Sequence, residues 1–247
     1  LQAACRLIDE KKKIRIADLA YAVGFNDPKY FCCCFKKKLG LSPTDNQLKK
    51  LNQLYEIMIE ENKVMNLTRI VEKEDVYLKH FYDSLTITKV CDFSKIETLC
   101  DVGTGAGFPG LVLKIFFSDV KITLVDALQK RVNYLNKVIN MLELEKIEAI
   151  HIRAEDLAKQ GYRYDIVTAR AVANLSKLLS WTMPLVKKDG SFIAMKGNVS
   201  EELTTAMPIF VKKNYILENK VEFNLPKDNG TRTILEIKYK NSNSVYK

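Results

Sequence analysis

From about Glu97 onward, short apolar runs alternate with longer stretches whose apolar residues recur every three or four positions. The strand-like runs are TLCDV (98–102), KITLVDA (121–127), IEAIHI (147–152), YDIVTAR (164–170) and SFIAMK (191–196). Between them lie FPGLVLKIFF, then LQKRVNYLNKVINML with Val132, Leu135, Val138, Ile139 and Leu142 along one helical face, then a short EDLAKQ and NLSKLLSWTMPLV. Repeated strand–helix alternation predicts a parallel sheet covered on both faces. The pattern changes near the end, where YILENKVEFNL and TRTILEIKYK flank PKDNG. Its Asn-Gly pair is a turn signal, so the last two strands are expected to be antiparallel. The expectation is an α/β fold: a seven-stranded, mostly parallel sheet closed by an antiparallel pair.

Upstream the period is helical. Residues 46 to 66 carry apolar spacing at Leu48, Leu51, Leu54, Ile57 and Met58, and a second helix is expected from Lys73 to Val90. The first 44 residues read as a separate small helical piece. IRIADLAYAVGF is a helix stopped by Gly24, and DPKYFCCCFKKKLG one started by Asp27-Pro28 and stopped by Gly40. Three segments result: 1–44, a helical pair at 45–92, and the sheet-forming region at 93–247.

Composition narrows the class. Hydrophobic content of 47% with 28% charged residues belongs to a globular chain rather than a disordered one. No apolar run approaches the roughly 20 residues that span a bilayer. LQAACRLIDEKKK carries acids and lysines where a signal peptide needs apolar residues, so a cytoplasmic protein without membrane partners is expected. Six cysteines show no CxxC spacing, and consecutive Cys32, Cys33 and Cys34 point in different directions on a helix. With only two histidines, no metal site is expected. The net charge of +9 suits a polyanionic partner, nucleic acid first. Residues 1–44 supply nine Lys/Arg against four Asp/Glu.

CDVGTGAGFPG (100–110) sets four glycines in eight positions directly after a strand. Such a loop, leading into a helix, brings backbone N–H groups close to a bound nucleotide-like cofactor. Gly105, Gly107 and Gly110 also satisfy the dinucleotide fingerprint, which keeps an NAD-dependent oxidoreductase in view. Phe108 and Pro109 sit where a pyrophosphate would lie against the helix start. S-adenosylmethionine has no phosphate and needs the glycines only to let its methionine part pass. Asp126 ends the second strand, 25 residues after Asp101, where a carboxylate can accept bonds from ribose hydroxyls or cap the next helix. The antiparallel terminal pair favours the methyltransferase reading.

Residues from about 45 to 240 resemble the RsmG (GidB) family of 16S rRNA guanine-N7 methyltransferases. The resemblance runs through NKVMNLTRI (62–70), KHFYDSL (79–85), DVGTGAGFPG (101–110), LVDALQKRVNYL (124–135), RAED (153–156), TARA (168–171), AMKG (194–197) and TRTILEIK (231–238). It implies a class I, Rossmann-like fold with an N-terminal helical extension and S-adenosylmethionine as methyl donor. The implied substrate is 16S rRNA in the 30S subunit, at guanine 527 in the 530 loop. It also implies that Gly103 and Phe108 line the methionine and adenosine pocket, with Asp101, Gly105 and Asp126 beside them. Ala154 and Glu155 would flank the adenine, and Arg170 would hold the carboxylate end. Glu155 equally reads as a cap of its short helix.

Methyltransferases acting on exocyclic amines commonly carry Asp/Asn-Pro-Pro-Tyr where this chain has TARA. Guanine N7 offers an in-plane lone pair and no proton, so no general base is expected and catalysis reduces to positioning. His80, Asp83 and Ser84 are too close on one helix to form a triad and are expected to join the N-terminal helices to the cofactor loop. Asn66 is expected to end one helix and Thr68 to cap the approach to the next. Lys196, Arg232 and His80 are the candidates for rRNA contact; Trp181 and Tyr134 read as core.

Residues 14 to 43 resemble the last helix-turn-helix of AraC-type regulators through VGF, YF, FKK, G and SP. That family binds DNA with two such motifs and only one is present, so duplex binding through residues 1–44 is a secondary expectation. GLSPTDNQL fits the end of one family and the start of the other, which puts the junction near residues 39 to 47. Isothermal titration calorimetry separates the three functions: saturable heat is expected with S-adenosylmethionine and none with NAD, while heat with duplex DNA would report the second function.

Overall fold

A helix forms over Asp45–Met65 (α1) because both of its ends are capped locally. Thr44 and Gln47 make a reciprocal capping box at the start, and Asn66 takes the left-handed conformation (φ 52°) at the end. The structure, a computed structural model, describes residues 35–240. IRIADLAYAVGF and the Cys32–Cys34 run lie outside them. Residues 35–39 are helical and stop at Gly40 (φ 68°), with Gly40 N donating to Lys36 O and Leu41 N to Phe35 O. The Gly40 bond is that of the αL helix stop, with the glycine in the left-handed region. Phe35 is fully buried, edge-on to Tyr82 at 5.6 Å and stacked on Phe116 at 6.0 Å.

The helix expected over 73–90 is not uniform. It runs as α2 (Lys73–Val76), a π turn (Tyr77–Tyr82), α3 (Asp83–Leu85) and a 3₁₀ turn (Thr86–Lys89). Apolar side chains outnumber what one α-helical stripe can bury, and the wider π turn buries Tyr77, Leu78, Phe81 and Tyr82 together.

The sheet then follows in strand–helix order: β1 (Thr98–Val102), α4 (Gly110–Phe116), β2 (Lys121–Asp126), α5 (Gln129–Met141), β3 (Ile147–His151), α6 (Ala154–Lys159), β4 (Tyr164–Arg170), α7 (Leu175–Thr182), β5 (Val186–Lys196), α8 (Ser200–Lys213), β6 (Tyr215–Asn224) and β7 (Thr231–Tyr239). Spatial order is β3-β2-β1-β4-β5-β7-β6. β7 runs antiparallel to both of its neighbours, while the β1–β2, β2–β3, β1–β4 and β4–β5 pairs are parallel.

Two departures from expectation have local causes. β5 begins at Val186, five residues early, because polar KKDG hides a strand that slips register opposite Tyr164 and Ile166. α8 carries Pro208 inside it and two threonines before it, residues that normally argue against a helix; burial of Ala206 and Phe210 holds it.

Strand residues alternate between two cores. Leu99, Ile122, Leu124, Ile166 and Ile193 face α1, the π turn, α4 and α5. Cys100, Val102, Val125, Val167, Phe192 and Ala194 face α6, α7 and α8. Trp181 packs against this second core, and Tyr134 is buried in the first. The chain reverses its winding between β1 and β4, so a crevice opens outside the carboxyl ends of those two strands.

The first turn of α4 sits tightly on that edge. A Cβ on Gly110 would lie 2.2 Å from Leu124 Cδ2 and 2.9 Å from Asp101 Oδ2. Gly110→Ala is therefore expected to overpack the site by about 1–3 kcal/mol, read as a fall of several degrees in Tm by calorimetry.

Candidate active site

The glycine loop follows β1 at this crevice. Gly103 N and Thr104 N both donate to Val125 O, which ties the loop to β2. Gly105 takes φ 60°, and the nearest atom to where its Cβ would stand is Gly103 O at 3.9 Å. The backbone here is turned left-handed, and without a side chain at Gly105 its N–H and C=O groups are uncovered at that point.

Two aspartates brace the loop from below. Asp101 is fully buried; its Oδ2 accepts from Thr104 Oγ1 (2.7 Å) and Gly110 N (2.8 Å), while Oδ1 is buried with no partner. Burial pushes this carboxyl up to about 6, against the bonds from Thr104 and Gly110 and the charge of Arg170. Asp126 is 3% exposed; Oδ2 accepts from Gly105 N (3.0 Å) and Arg131 Nη1 (3.3 Å), and Oδ1 from Leu128 N (2.9 Å). It couples the loop to the end of β2. Ile152 N donates to Asp126 O, which brings the start of α6 alongside. Ala154 is buried there, and Glu155 stands in the first turn, where the N-cap Arg153 supplies no side-chain bond.

On the other side of the crevice the π turn meets β4 and β7. Arg170, at the end of β4, donates through Nη1 to Lys79 O (3.2 Å) and Asp83 Oδ2 (3.1 Å). Arg232, opening β7, donates through Nε to the same Asp83 oxygen (3.2 Å). His80 stacks on Phe108 of the glycine loop at 4.7 Å and 15°, and the Arg170 guanidinium lies 5.4 Å from that ring. His80 Nδ1 is 3.3 Å from Arg170 Nη2, and Nε2 is 2.9 Å from Thr68 Oγ1. A guanidinium only donates, so Nδ1 is the acceptor and the imidazole is neutral, with its proton on Nε2. Burial, reinforced by Arg170, holds its pKa down at about 3.

Lys79, His80, Asp83, Arg170 and Arg232 line a pocket of about 400 Å³ together with Lys196, Glu202 and Thr233. Lys196 is no free cation: Nζ donates to Ala173 O (2.5 Å) and Glu202 Oε2 (2.7 Å). Ser84 Oγ donates to the His80 carbonyl (2.6 Å) rather than meeting the ring. Thr68 does not cap the next helix, whose N-cap is Glu72; its hydroxyl instead accepts from Ile70 N and pairs with His80.

The sequence-predicted residues thus form two groups. Asp101, Gly103, Gly105, Asp126, Ala154 and Glu155 follow β1, β2 and β3, while His80, Arg170, Lys196 and Arg232 surround the pocket, with Phe108 at the seam. Asp83 as the hub of two arginines has no local signal, since its partners lie 87 and 149 residues away. Glu202 was hidden with the helix that carries it. Among the described residues, no cluster of three or more His, Cys, Asp or Glu is disposed to hold a metal. No described helix is long and apolar enough to cross a membrane.

Strand order, loop and crevice are those of the Rossmann-like S-adenosylmethionine-dependent methyltransferases. The solved structure of TYW2 from Pyrococcus horikoshii in complex with MeSAdo shares this fold, with a TM-score of 0.51 and 13% identity over 66% of this chain and 63% of that one. The chain belongs to the GidB family, rRNA small subunit methyltransferase G, which matches residues 47–232. The ribosomal RNA small subunit methyltransferase G of Staphylococcus saprophyticus is 46% identical over 202 residues, 80% of this chain and 84% of that protein. Its Bacillus subtilis counterpart is 43% identical over 212 residues, 84% and 89% of the two. Residues 9–45 match a second description, the bacterial regulatory helix-turn-helix proteins of the AraC family.

The Asp101 carboxyl has a definite pH signature. Its folded pKa, about 6, lies above the ordinary value, so its contribution to stability is present below about pH 4 and is lost as pH rises through 6. Asp101→Asn keeps an acceptor for Thr104 and Gly110 but cannot ionise. In the absence of ligand, the Tm of the variant minus that of the wild type is expected to rise between pH 4 and 7, by the equivalent of about 3 kcal/mol.

Proposed function

We infer that the chain transfers a methyl group from S-adenosylmethionine to N7 of guanine 527 in 16S rRNA, with the 30S subunit as substrate. The observation that carries this reading is a pocket whose histidine, aspartate and lysine are already engaged by other protein groups. His80 Nδ1 accepts from Arg170, Asp83 sits between two guanidiniums, and Lys196 is paired with Glu202. An acceptor atom that must lose a proton would find none of these three groups free to take it. Guanine N7 has a lone pair in the ring plane and no proton, so alignment suffices. A ribosomal substrate also implies a cytoplasmic enzyme.

The residues present suit the cofactor. The buried, unpartnered Asp101 Oδ1 is a ready acceptor for an ammonium group beneath the loop. Arg170 has five N–H donors and uses three, which leaves two for a carboxylate. Gly103, Gly105 and Phe108 would line the passage of the methionine part, Asp126 would meet the ribose, and Ala154 with Glu155 would flank the adenine. When bound, the sulfonium supplies an electrophilic methyl group. The chain's own work is to hold the loop open, seat the base and keep charge complementary. Arg232, whose side chain is 26% exposed, and Lys79 beside it suit an rRNA phosphate; Lys196 and His80 shape the pocket around the base.

A second reading, DNA binding by residues 1–44, draws on the AraC-family match and is independent of the first. Purified chain incubated with labelled S-adenosylmethionine and 30S subunits from a strain lacking the modification is expected to label 16S rRNA at one guanine. Aniline-induced cleavage at that position would identify N7 as the acceptor. Label on another base or atom, or none while the cofactor binds, overturns the assignment.

A further inference from the structure

Glu202 is held in place more firmly than its position near a helix start requires. Its Oε2 accepts from Leu175 N at 2.8 Å and from Lys196 Nζ at 2.7 Å. These two donors come from different elements, the start of α7 and the end of β5, so Oε2 is pinned from two sides and Oε1 is the oxygen left to face the pocket. Glu202 lines the 400 Å³ pocket, and its Oε1 carries no hydrogen bond among the described residues. Asp83, the other carboxylate in the lining, shares its charge between two arginines.

The geometry points to Glu202 as the residue that selects guanine, its Oε1 accepting hydrogen bonds from the N1–H and N2 amino group of the acceptor base. This rests on the reading of the pocket as the acceptor site of a guanine methyltransferase. Of the four bases, guanine alone presents two donors side by side on its Watson–Crick edge. Adenine and cytosine each offer one amino group beside an acceptor, and uracil one N–H between two carbonyls. A base taken out of its stack is read on that edge. A pinned carboxylate complements the guanine pattern and meets a lone pair with each of the others. N7 lies on the far side of the purine from N1 and N2, so a base gripped by this edge keeps N7 free to face the glycine loop. A fixed group loses little side-chain freedom on binding, and an analogue that leaves it unpaired is rejected strongly.

The test is a cycle of two bases and two proteins. 30S particles are reconstituted with 16S rRNA carrying guanosine or inosine at the target position; inosine keeps N7, O6 and N1–H but lacks the N2 amino group. Wild-type chain is expected to prefer guanosine by at least about tenfold in kcat/KM. Glu202→Gln, which presents an amide in place of the carboxylate, is expected to bring that ratio to within about twofold, with S-adenosylmethionine affinity unchanged. A Glu202 that merely braces Lys196 and Leu175 would lower both rates alike and leave the ratio intact, which overturns the proposal. Equal rates with wild-type chain overturn it without any variant. If Glu202→Gln does not bind the cofactor, Glu202→Asp, which withdraws the charge by one methylene, is read by the same ratio. Failure to methylate even the guanosine particle removes the functional reading itself, and the selection of guanine with it.

Discussion

One carboxylate, Asp83, holds the working edge of the molecule together. Its Oδ2 is shared by Arg170 from the end of β4 and Arg232 from the start of β7, and its own backbone continues the π turn. Asp83 and Arg170 have side chains only 5% and 13% exposed, so this is a largely desolvated ion cluster. Such clusters add little net stability over a well-packed apolar core, yet removing one member leaves a buried charge without its partner. What the cluster supplies is geometry: it sets the N-terminal helices against the sheet at one angle.

From that anchor the constraint passes to the glycine loop through a ring stack. His80 is held by Arg170 and Thr68 and lies flat on Phe108, so the loop after β1 inherits its position from the helices before it. Below the loop, Asp101 and Asp126 brace it through Thr104, Gly110 and Gly105. The two arrangements have opposite electrical character. Asp101 is buried with one oxygen unsatisfied and resists ionisation, whereas Asp83, His80 and Lys196 around the pocket are paired. The loop side thus keeps an acceptor oxygen in reserve, whereas Asp83, His80 and Lys196 on the pocket side are engaged by other protein groups.

Much of the fold was legible in the residue pattern because burial is periodic. Five parallel strands and the closing pair were readable from apolar runs, and α5 from the spacing of Val132, Leu135, Val138 and Ile139. The misses were places where polar residues sit inside regular structure: KKDG at the start of β5 and Thr204, Thr205 and Pro208 in and around the middle of α8. The second N-terminal helix was legible as helical, but not its π turn. Window-based periodicity does not resolve one extra residue per turn, and burial on both sides of the turn decides it.

The site divides along the same line. The glycine loop and the aspartates at the strand ends were visible because backbone chemistry demands particular residues at particular offsets from a strand. Charge pairing carries no such offset. Lys196 reads as a free cation until Glu202 is found beside it, and Arg232 reads as a solvated strand end until Asp83 is found across the crevice. By itself the sequence determined the layers, the loop and the family, since these follow from local spacing and from residues matched in order. Only the tertiary structure decided which charges are spent and which remain, because ion pairs form between residues brought together by the sheet's order, at separations along the chain that no local pattern encodes.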